Sequence, residues 1–349
     1  MEKIMVVGDL NVDAPKEYNY EKGNYILDGC INTLKWIFRK AISEKVDVIF
    51  FLGDIFHKKD KIPNRIKNAI VEVFSENDII KKFIIAGNHD FSDDGESTIF
   101  FLHPWSDIVD INRVTRRYEN KRIGMIPYDA DDRISRQLIK WKNKVDIILG
   151  HFAIHGCSFT GIDYYDSGID LDILDEFPLV VAGHIHKFQK FSDSIIHLGS
   201  MYQTNWGEVG ENKYIAIIEN TDVEFIELPK YINRVDMKFG KDSLDVMHKK
   251  VYPISAFYNM ARIVCSCNIY AEHLETSIDS MITKLKTIGY DYVTIDTTFD
   301  VNIPVIEHKE VDKTADVFGE FVKLKLDEQS ESGRRYFLRK VLRKVMIDD

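Results

Sequence analysis

The chain predicts a layered α/β fold. Three observations carry that reading. Short apolar, β-branched runs recur and end in glycine: IMVVGD, VDVIFFLGD, KFIIAGNHD, VDIILGHF and LVVAGHIH. Amphipathic stretches lie between several of them. The residue directly after each glycine is a potential metal ligand: Asp9, Asp54, Asn88, His151 and His184, with His186 two residues beyond the last. Runs of this kind, bounded by turn residues, read as buried strands. Open α/β sheets place their chemistry beyond the carboxyl ends of such strands. Five strands are therefore expected to deliver carboxylate, amide and imidazole groups to one rim of one sheet.

The intervening elements follow in order. Residues 28–44 (DGCINTLKWIFRKAISE) carry apolar positions at helical spacing and lead into the second strand, and residues 63–75 and 132–142 have the same character. This β-α-β rhythm holds to about residue 188. From about residue 189 the pattern changes to strands without helices, KFSDSIIHLGS, NKYIAIIEN and DVEFIELPK. A first domain is accordingly placed at residues 1–230. A second, at 231–303, contains a strand (ARIVCSCNIY), a helix ending in glycine (HLETSIDSMITKLKTIG) and another strand (YDYVTIDTTFD). Residues 304–349 read as a linker and two helical segments. In the second of these Phe337, Leu338, Val341, Leu342 and Val345 form an apolar stripe flanked by basic residues.

With 349 residues, 45% of them hydrophobic and 29% charged, the chain is expected to be a soluble protein of two domains. No apolar run approaches the ~20 residues that cross a bilayer, and the N-terminus lacks a signal-peptide layout, so no membrane association is expected. Four scattered cysteines fit a reducing cytoplasm rather than a disulfide framework. The net charge of −10 argues against coating nucleic acid by bulk positive charge. It leaves room for a nuclease, because bound cations and local basic patches also hold phosphates. One such patch, Lys58, Lys59, Lys61, Arg65 and Lys67, directly follows the second ligand strand.

Carboxylate oxygen with imidazole nitrogen, and no cysteine ligand, suits Mn²⁺, Fe²⁺ or Zn²⁺, with Mg²⁺ as a harder alternative. A carboxylate between two ions can bridge them, and a two-ion site can clamp both oxygens of an in-line phosphoryl displacement. Singly, each of these residues is an ordinary helix cap, turn residue or core histidine. Their joint order points to a metal centre.

The ordered motifs GDLN, GDIFH, GNHD, GHF and GHIH resemble the calcineurin-like metallophosphoesterase superfamily. Within it they resemble most the nuclease subunits of SbcCD-type double-strand-break repair complexes, in particular phage-encoded recombination endonucleases. Four features carry the narrower likeness: the histidine three residues after Asp54, the segment HLGSMYQTNWGE, the β-α-β unit near residues 255–300 and the terminal helical pair. The resemblance implies an α-β-β-α metallophosphoesterase sandwich, a small DNA-capping domain and a C-terminal helical pair. It implies two divalent ions, most simply Mn²⁺, with Mg²⁺ as the alternative. Asp9, Asp54 and His186 would hold the first ion, and Asp54, Asn88, His151 and His184 the second, with Asp54 bridging. His89 would act on the phosphate or protonate the leaving oxygen, and His57, with Lys58 and Lys59, would touch DNA. The implied activity is Mn²⁺-dependent exonuclease and endonuclease cleavage of DNA in recombination and repair. The implied partners are DNA, an SbcC-type SMC-like ATPase bound through residues 313–349, and a second copy of the chain docked through residues 64–75 and 97–105. A viral chain of this kind would work in the host cytoplasm.

The chain departs from the family's Asp-x-His first motif, carrying Asp9-Leu10-Asn11 instead. An amide oxygen is a weaker donor than imidazole for transition metals, so Asn11 or a water is expected to complete a weakened first site. Two other functions fit the same motifs: a small-molecule phosphodiesterase or phosphatase, since fold does not fix substrate, and a non-catalytic dimer that tethers DNA ends.

Overall fold

The computed structural model describes residues 3–110, 113–118, 121–159, 166–238, 244–251, 258–266 and 274–298. The expected linker and terminal helical pair at residues 304–349 lie outside the described residues. Among these, residues 3–234 with 258 and 259 form one compact unit, and residues 235–251 with 260–298 form another.

The first unit holds two six-stranded sheets. Its elements, in chain order, begin with β1 (Lys3–Val7), a small hairpin of β2 (Asn19–Tyr20) and β3 (Gly23–Asn24), and α1 (Tyr25–Ser43). There follow β4 (Val48–Phe51), α2 (Asn64–Glu76), β5 (Lys81–Ile85), β6 (Asp107–Val109), β7 (Val114–Tyr118), β8 (Lys121–Ile126) and α3 (Asp131–Trp141). The remainder is β9 (Ile147–His151), α4 (Leu171–Leu174), β10 (Leu179–Gly183), β11 (Gln189–Lys190), β12 (Ile195–His197), β13 (Tyr214–Glu219) and β14 (Asp222–Glu227). The first sheet runs β14-β13-β1-β4-β5-β6 and the second β11-β12-β10-β9-β8-β7. In each, four adjacent strands run parallel: β1, β4, β5 and the edge strand β6 in the first, and β8, β9, β10 and β12 in the second. Antiparallel β13, β7 and β11 flank these cores.

Central strands covered on both faces are apolar at every position, as parallel sheets require. In β4, Val48 and Phe50 belong to the core between the sheets, with Val6, Phe83 and Ile85 from the first sheet and Met125, Leu149, Val181 and Ile196 from the second. The opposite face of β4 presents Phe51, which packs against Phe38 of α1 and Phe74 of α2 at ring-centroid distances of 6.1 and 5.3 Å. The outer face of the second sheet is covered likewise. Ile148, Val180 and Ala182 pack with Ile134 and Leu138 of α3 and Leu174 of α4. The unit is thus the expected α-β-β-α sandwich.

One expectation needs correction. The five ligand-bearing strands do not share one sheet. Asp9, Asp54 and Asn88 follow β1, β4 and β5 of the first sheet, whereas His151 ends β9 and His184 follows β10 of the second. Burial on both faces makes all five strands look alike in sequence. Which sheet a strand joins is decided by long-range pairing, which leaves no local signature. The second unit contributes β15 (Ile232–Lys238), which begins within the first, α5 (Leu244–His248), β16 (Tyr258–Ser266), α6 (Leu274–Thr287) and β17 (Tyr292–Thr298). Its three strands form one sheet in the order β15-β16-β17. Its core includes Met237, Ile263, Leu285 and Tyr290.

Candidate metal centre

Asp9, Asp54 and His151 are fully or almost fully buried and converge so that one ligand atom of each lies within 4.8 Å of the others. The backbone brings them there. Asn11 N–H donates to the carbonyl of Asp54 (2.7 Å), joining the loops that follow β1 and β4. His184 N–H donates to the Asp9 carboxylate (2.9 Å to Oδ1), tying the second sheet's rim to the first. His89 N–H donates to Asp54 Oδ1 (2.8 Å). Asp90, buried behind them, accepts from Ile55 N–H (2.9 Å) and Gly87 N–H (2.8 Å), stapling the Asp54 loop to the Asn88 loop.

These loops are strained. Seven non-glycine residues among those described have positive φ, and three of them are Asn11 (47°), Asp54 (47°) and His184 (99°). Such conformations cost on the order of 1–3 kcal/mol each and concentrate where the surrounding structure enforces them. The glycines before the ligands are needed for space. A Cβ on Gly87 would lie 2.2 Å from Asp54 Oδ1 and 2.7 Å from His151 Cε1, and one on Gly183 would lie 2.6 Å from Asp9 Oδ1.

Two groups of donors result. In one, His151 Nε2 lies 3.0 Å from Asn88 Oδ1, His184 Nδ1 lies 2.9 Å from the same oxygen and 3.2 Å from His151 Nε2, and Asp54 Oδ1 is 3.5 Å from His151 Nε2. His151 Nδ1 faces the Leu52 carbonyl at 2.6 Å and donates to it, so neutral His151 presents Nε2 as a bare lone pair. In the other group, His186 Nε2 accepts from the Asn11 Nδ2–H (3.1 Å) and lies 3.8 Å from Asp9 Oδ2. His186 Nδ1 is turned to Thr204 Oγ1 (2.9 Å) and Glu208 Oε1 (3.2 Å). The Oδ1 of Asn11 is buried with no hydrogen-bond partner. Acceptor atoms gathered as in the first group repel one another unless a cation lies among them. The residues therefore fit a pair of divalent ions: Asp9, His186 and Asn11 to hold one, Asn88, His151 and His184 the other, and Asp54 between.

Electrostatics agree. Burial, with the nearby Asp54 charge, raises the Asp9 carboxyl. The same causes push Asp90 up to about 7. Burial, reinforced by His151, drives His184 down to about 3, which keeps its ring neutral and ligand-ready. For His151, burial is outweighed by Asp54 and Asp9, so its pKa is raised. Burial alone would push the Glu208 carboxyl up, but hydrogen bonding to His186 and the Lys213 ammonium, 2.7 Å away, hold it at about 2. Glu208 therefore stays ionised and fixes the ring of His186, as carboxylates behind metal-ligating histidines do.

The remaining sequence-predicted residues sit at the edge. His89 is half-buried and its Nδ1–H donates to the His57 carbonyl. The His57 ring is 6.0 Å from that of His89. Lys58 is exposed, with Nζ 3.8 Å from Asp13 Oδ1, and Lys59 is half-buried. His155 is exposed beside Asp170, 3.8 Å away. Sequence reasoning passed over Asp90, Tyr128, Glu208 and Lys213. Asp90 had a visible signal, as the last letter of GNHD. Glu208 and Lys213 are buried charges that look like surface residues in the sequence. Tyr128, whose ring is 5.5 Å from that of His184, had no signal at all.

Two outcomes follow from this geometry. Gly87→Ala is expected to leave the fold intact by circular dichroism while weakening Mn²⁺ binding by roughly 10–100-fold in titration calorimetry, the range seen for disturbed ligand supports. Unchanged affinity would contradict the crowding at Asp54 and His151. Metal affinity should also fall as pH drops. Asp9 and His151 hold their protons to higher pH than usual, and those protons must leave before or as ions bind. Calorimetry at pH 6 and pH 8 in buffers of different ionisation enthalpy would show protons released on binding. No release would count against this ligand set.

Residues 2–188 match the model of the calcineurin-like phosphoesterase family. Two viral proteins named as putative phosphoesterases are similar in sequence. The 244L protein of Invertebrate iridescent virus 6 is 26% identical over 246 residues, covering 67% of this chain and 81% of that one. The 078R protein of Invertebrate iridescent virus 3 is 24% identical over 210 residues, covering 56% of this chain and 59% of that protein. Among solved structures, a dimetal phosphatase from Danio rerio aligns with a TM-score of 0.41 at 11% identity, over 65% of this chain and 98% of that one. The match of the family model over more than half of the sequence establishes that the chain belongs to the calcineurin-like phosphoesterases.

Proposed function

We propose that this phosphoesterase is a two-metal phosphodiesterase that cleaves DNA. The observation that carries the reading is the placement of His89. Its backbone N–H holds Asp54 and its Nδ1–H is held by the His57 carbonyl, so the ring stands at the open edge of the donor cluster with Nε2 unengaged by either bond. Beside it runs the basic segment His57, Lys58, Lys59 and Lys61.

When bound, the ion pair supplies Lewis acidity and neutralises the charge of an anionic diester, which otherwise repels an attacking oxygen. The chain's own residues do the rest. Asp54 and Asp9 are locked by the amide hydrogen bonds of His89 and His184, so the donors need little rearrangement as the reaction proceeds. His89, as the imidazolium, presents Nε2–H to the leaving alkoxide and returns to neutral imidazole after the proton is passed. The His57 carbonyl keeps the ring oriented in both states. His57 and Lys58 lie on the exposed side, where a polynucleotide backbone can reach them.

His89→Gln is expected to slow cleavage of end-labelled duplex DNA in Mn²⁺ by about 10²–10⁴-fold, the range for loss of a general acid. Hydrolysis of bis(p-nitrophenyl) phosphate, whose leaving group needs no proton, should fall far less. Equal losses on both substrates would sink the general-acid role. Hydrolysis of monoesters alone by the wild-type chain would move the assignment to a small-molecule phosphatase. In the same reading residues 313–349 dock an SMC-like ATPase. Deleting them should abolish co-purification with such a subunit and leave metal-dependent cleavage intact, whereas retained capture would place the contact elsewhere.

A further inference from the structure

An open cavity of about 360 Å³ is walled by the continuations of the loops that carry Asp54 and His89. One wall is residues 59–62, beginning two residues beyond His57, which chain reach places within about 7 Å of it. The other is the segment through Ser97 and Thr98. It is pinned directly behind His89: Thr98 N–H donates to the Asp90 carbonyl at 2.9 Å, and Ser97 pairs with Phe91. Lys59, Lys61 and Lys67 line the cavity, together with the acidic residues Asp60 and Glu96. The balance is positive in a molecule whose net charge is −10.

The lysines are not a loose surface row. Lys67 stands over the ring of Phe101, 5.5 Å from its centroid, and that ring is itself stacked on buried Phe56 at 6.0 Å. Phe56 lies two residues after Asp54, so the ring stack ties the position of Lys67 to the ligand loop. Lys61 is held at φ 53°, a left-handed conformation rare for a side chain of its size. The Ser97 and Thr98 hydroxyl oxygens are buried behind the wall without a hydrogen-bond partner. Cations held in place around a cavity are the chemistry of a phosphate site. The Phe101 ring is already engaged by Phe56 and Lys67, so the cavity suits a backbone phosphate rather than a base.

We propose that this cavity is a subsite for a non-scissile phosphate of a polynucleotide strand, the phosphate next in line to the one held at the metal centre. The proposal rests on the phosphodiesterase reading and refines it. A substrate with a second phosphate is favoured over one that carries only the bond to be cut.

The test uses the full chain and the Lys61→Gln/Lys67→Gln double variant. Fluorescence anisotropy with a labelled single-stranded oligonucleotide in EDTA, where no hydrolysis intervenes, should show at least tenfold weaker binding by the variant. The slope of log affinity against log salt should drop by about 0.7–1, the contribution of one phosphate. Lys61→Arg/Lys67→Arg should restore both. In Mn²⁺, adding a 5′-phosphate to a dinucleoside monophosphate should lower KM about tenfold for the wild-type chain and little for the Gln variant. Lys67, Ser97, Thr98 and Phe101 also lie in the segments expected to dock a second copy, so light scattering accompanies the titration. Oligonucleotide binding unaltered by the Gln variant, or a dimer that the Gln variant dissociates, would overturn the subsite whatever the catalytic outcome. So would a variant that loses inhibition by inorganic phosphate yet binds the oligonucleotide normally, because it would assign the cavity to a free anion. Loss of oligonucleotide binding by the variant, combined with no diester cleavage by the wild-type chain, would keep the subsite and reject the phosphodiesterase reading.

Discussion

The structure depends on two carboxylates, Asp9 and Asp54, buried side by side where the rims of two sheets meet. Moving an ion of this size out of water costs several kcal/mol even after the protein relaxes. Backbone N–H groups of His184 and His89 offset part of that cost, and the imidazoles around them take up more. What is left is a concentration of acceptor atoms that divalent cations would neutralise. The fold tolerates the cluster because it sits at the end of a large apolar core shared by both sheets, in which Phe50, Phe83, Leu149 and Val181 are completely or almost completely buried.

Holding the cluster demands unusual backbone. Asn11, Asp54 and His184 adopt left-handed conformations, and the glycines before Asn88 and His184 leave room that a single methyl group would close. Strain and crowding of this kind survive only where many bonds enforce them. Asp90 supplies two, bridging the Asp54 and Asn88 loops. On the opposite side Lys213 bonds both Glu208 (2.7 Å) and the His186 carbonyl (2.8 Å), while Glu208 fixes the His186 ring. Asp9, His151 and His186 are thus held by the His184 N–H, the Leu52 carbonyl and Glu208. An acidic protein can present such a centre for anionic phosphoesters because the attraction would be local, supplied by the cations these residues would hold, and not a property of net charge.

Asn11 shows how a substitution can be absorbed. The Tyr202 hydroxyl donates to its carbonyl at 2.8 Å, its own N–H is bonded to the Asp54 carbonyl, and its side-chain Nδ2–H meets His186 Nε2 at 3.1 Å. The shorter side chain leaves Oδ1 buried and unpartnered. A neutral oxygen there binds a cation less strongly than imidazole would.

Read alone, the sequence determined the α/β class, the main helices of the sandwich, and the order of Asp9, Asp54, Asn88, His151, His184 and His186. Apolar run length and a polar residue after glycine are local properties, and local properties survive in a linear string. It also placed His89 and His57 near the chemistry through the resemblance of GNHD and GDIFH to a known family. Only the tertiary structure decided that the ligands come from two sheets, because strand pairing is a long-range choice among runs that look alike. Strands β7 and β8 were missed for a related reason: VTRRY and KRIGMI carry charges on exposed positions and lack the continuous apolar run of the central strands. Glu208 and Lys213 were invisible as supports because a buried ion pair and a surface one are written with the same letters. Burial, and with it the meaning of each charge, exists only once the chain has folded.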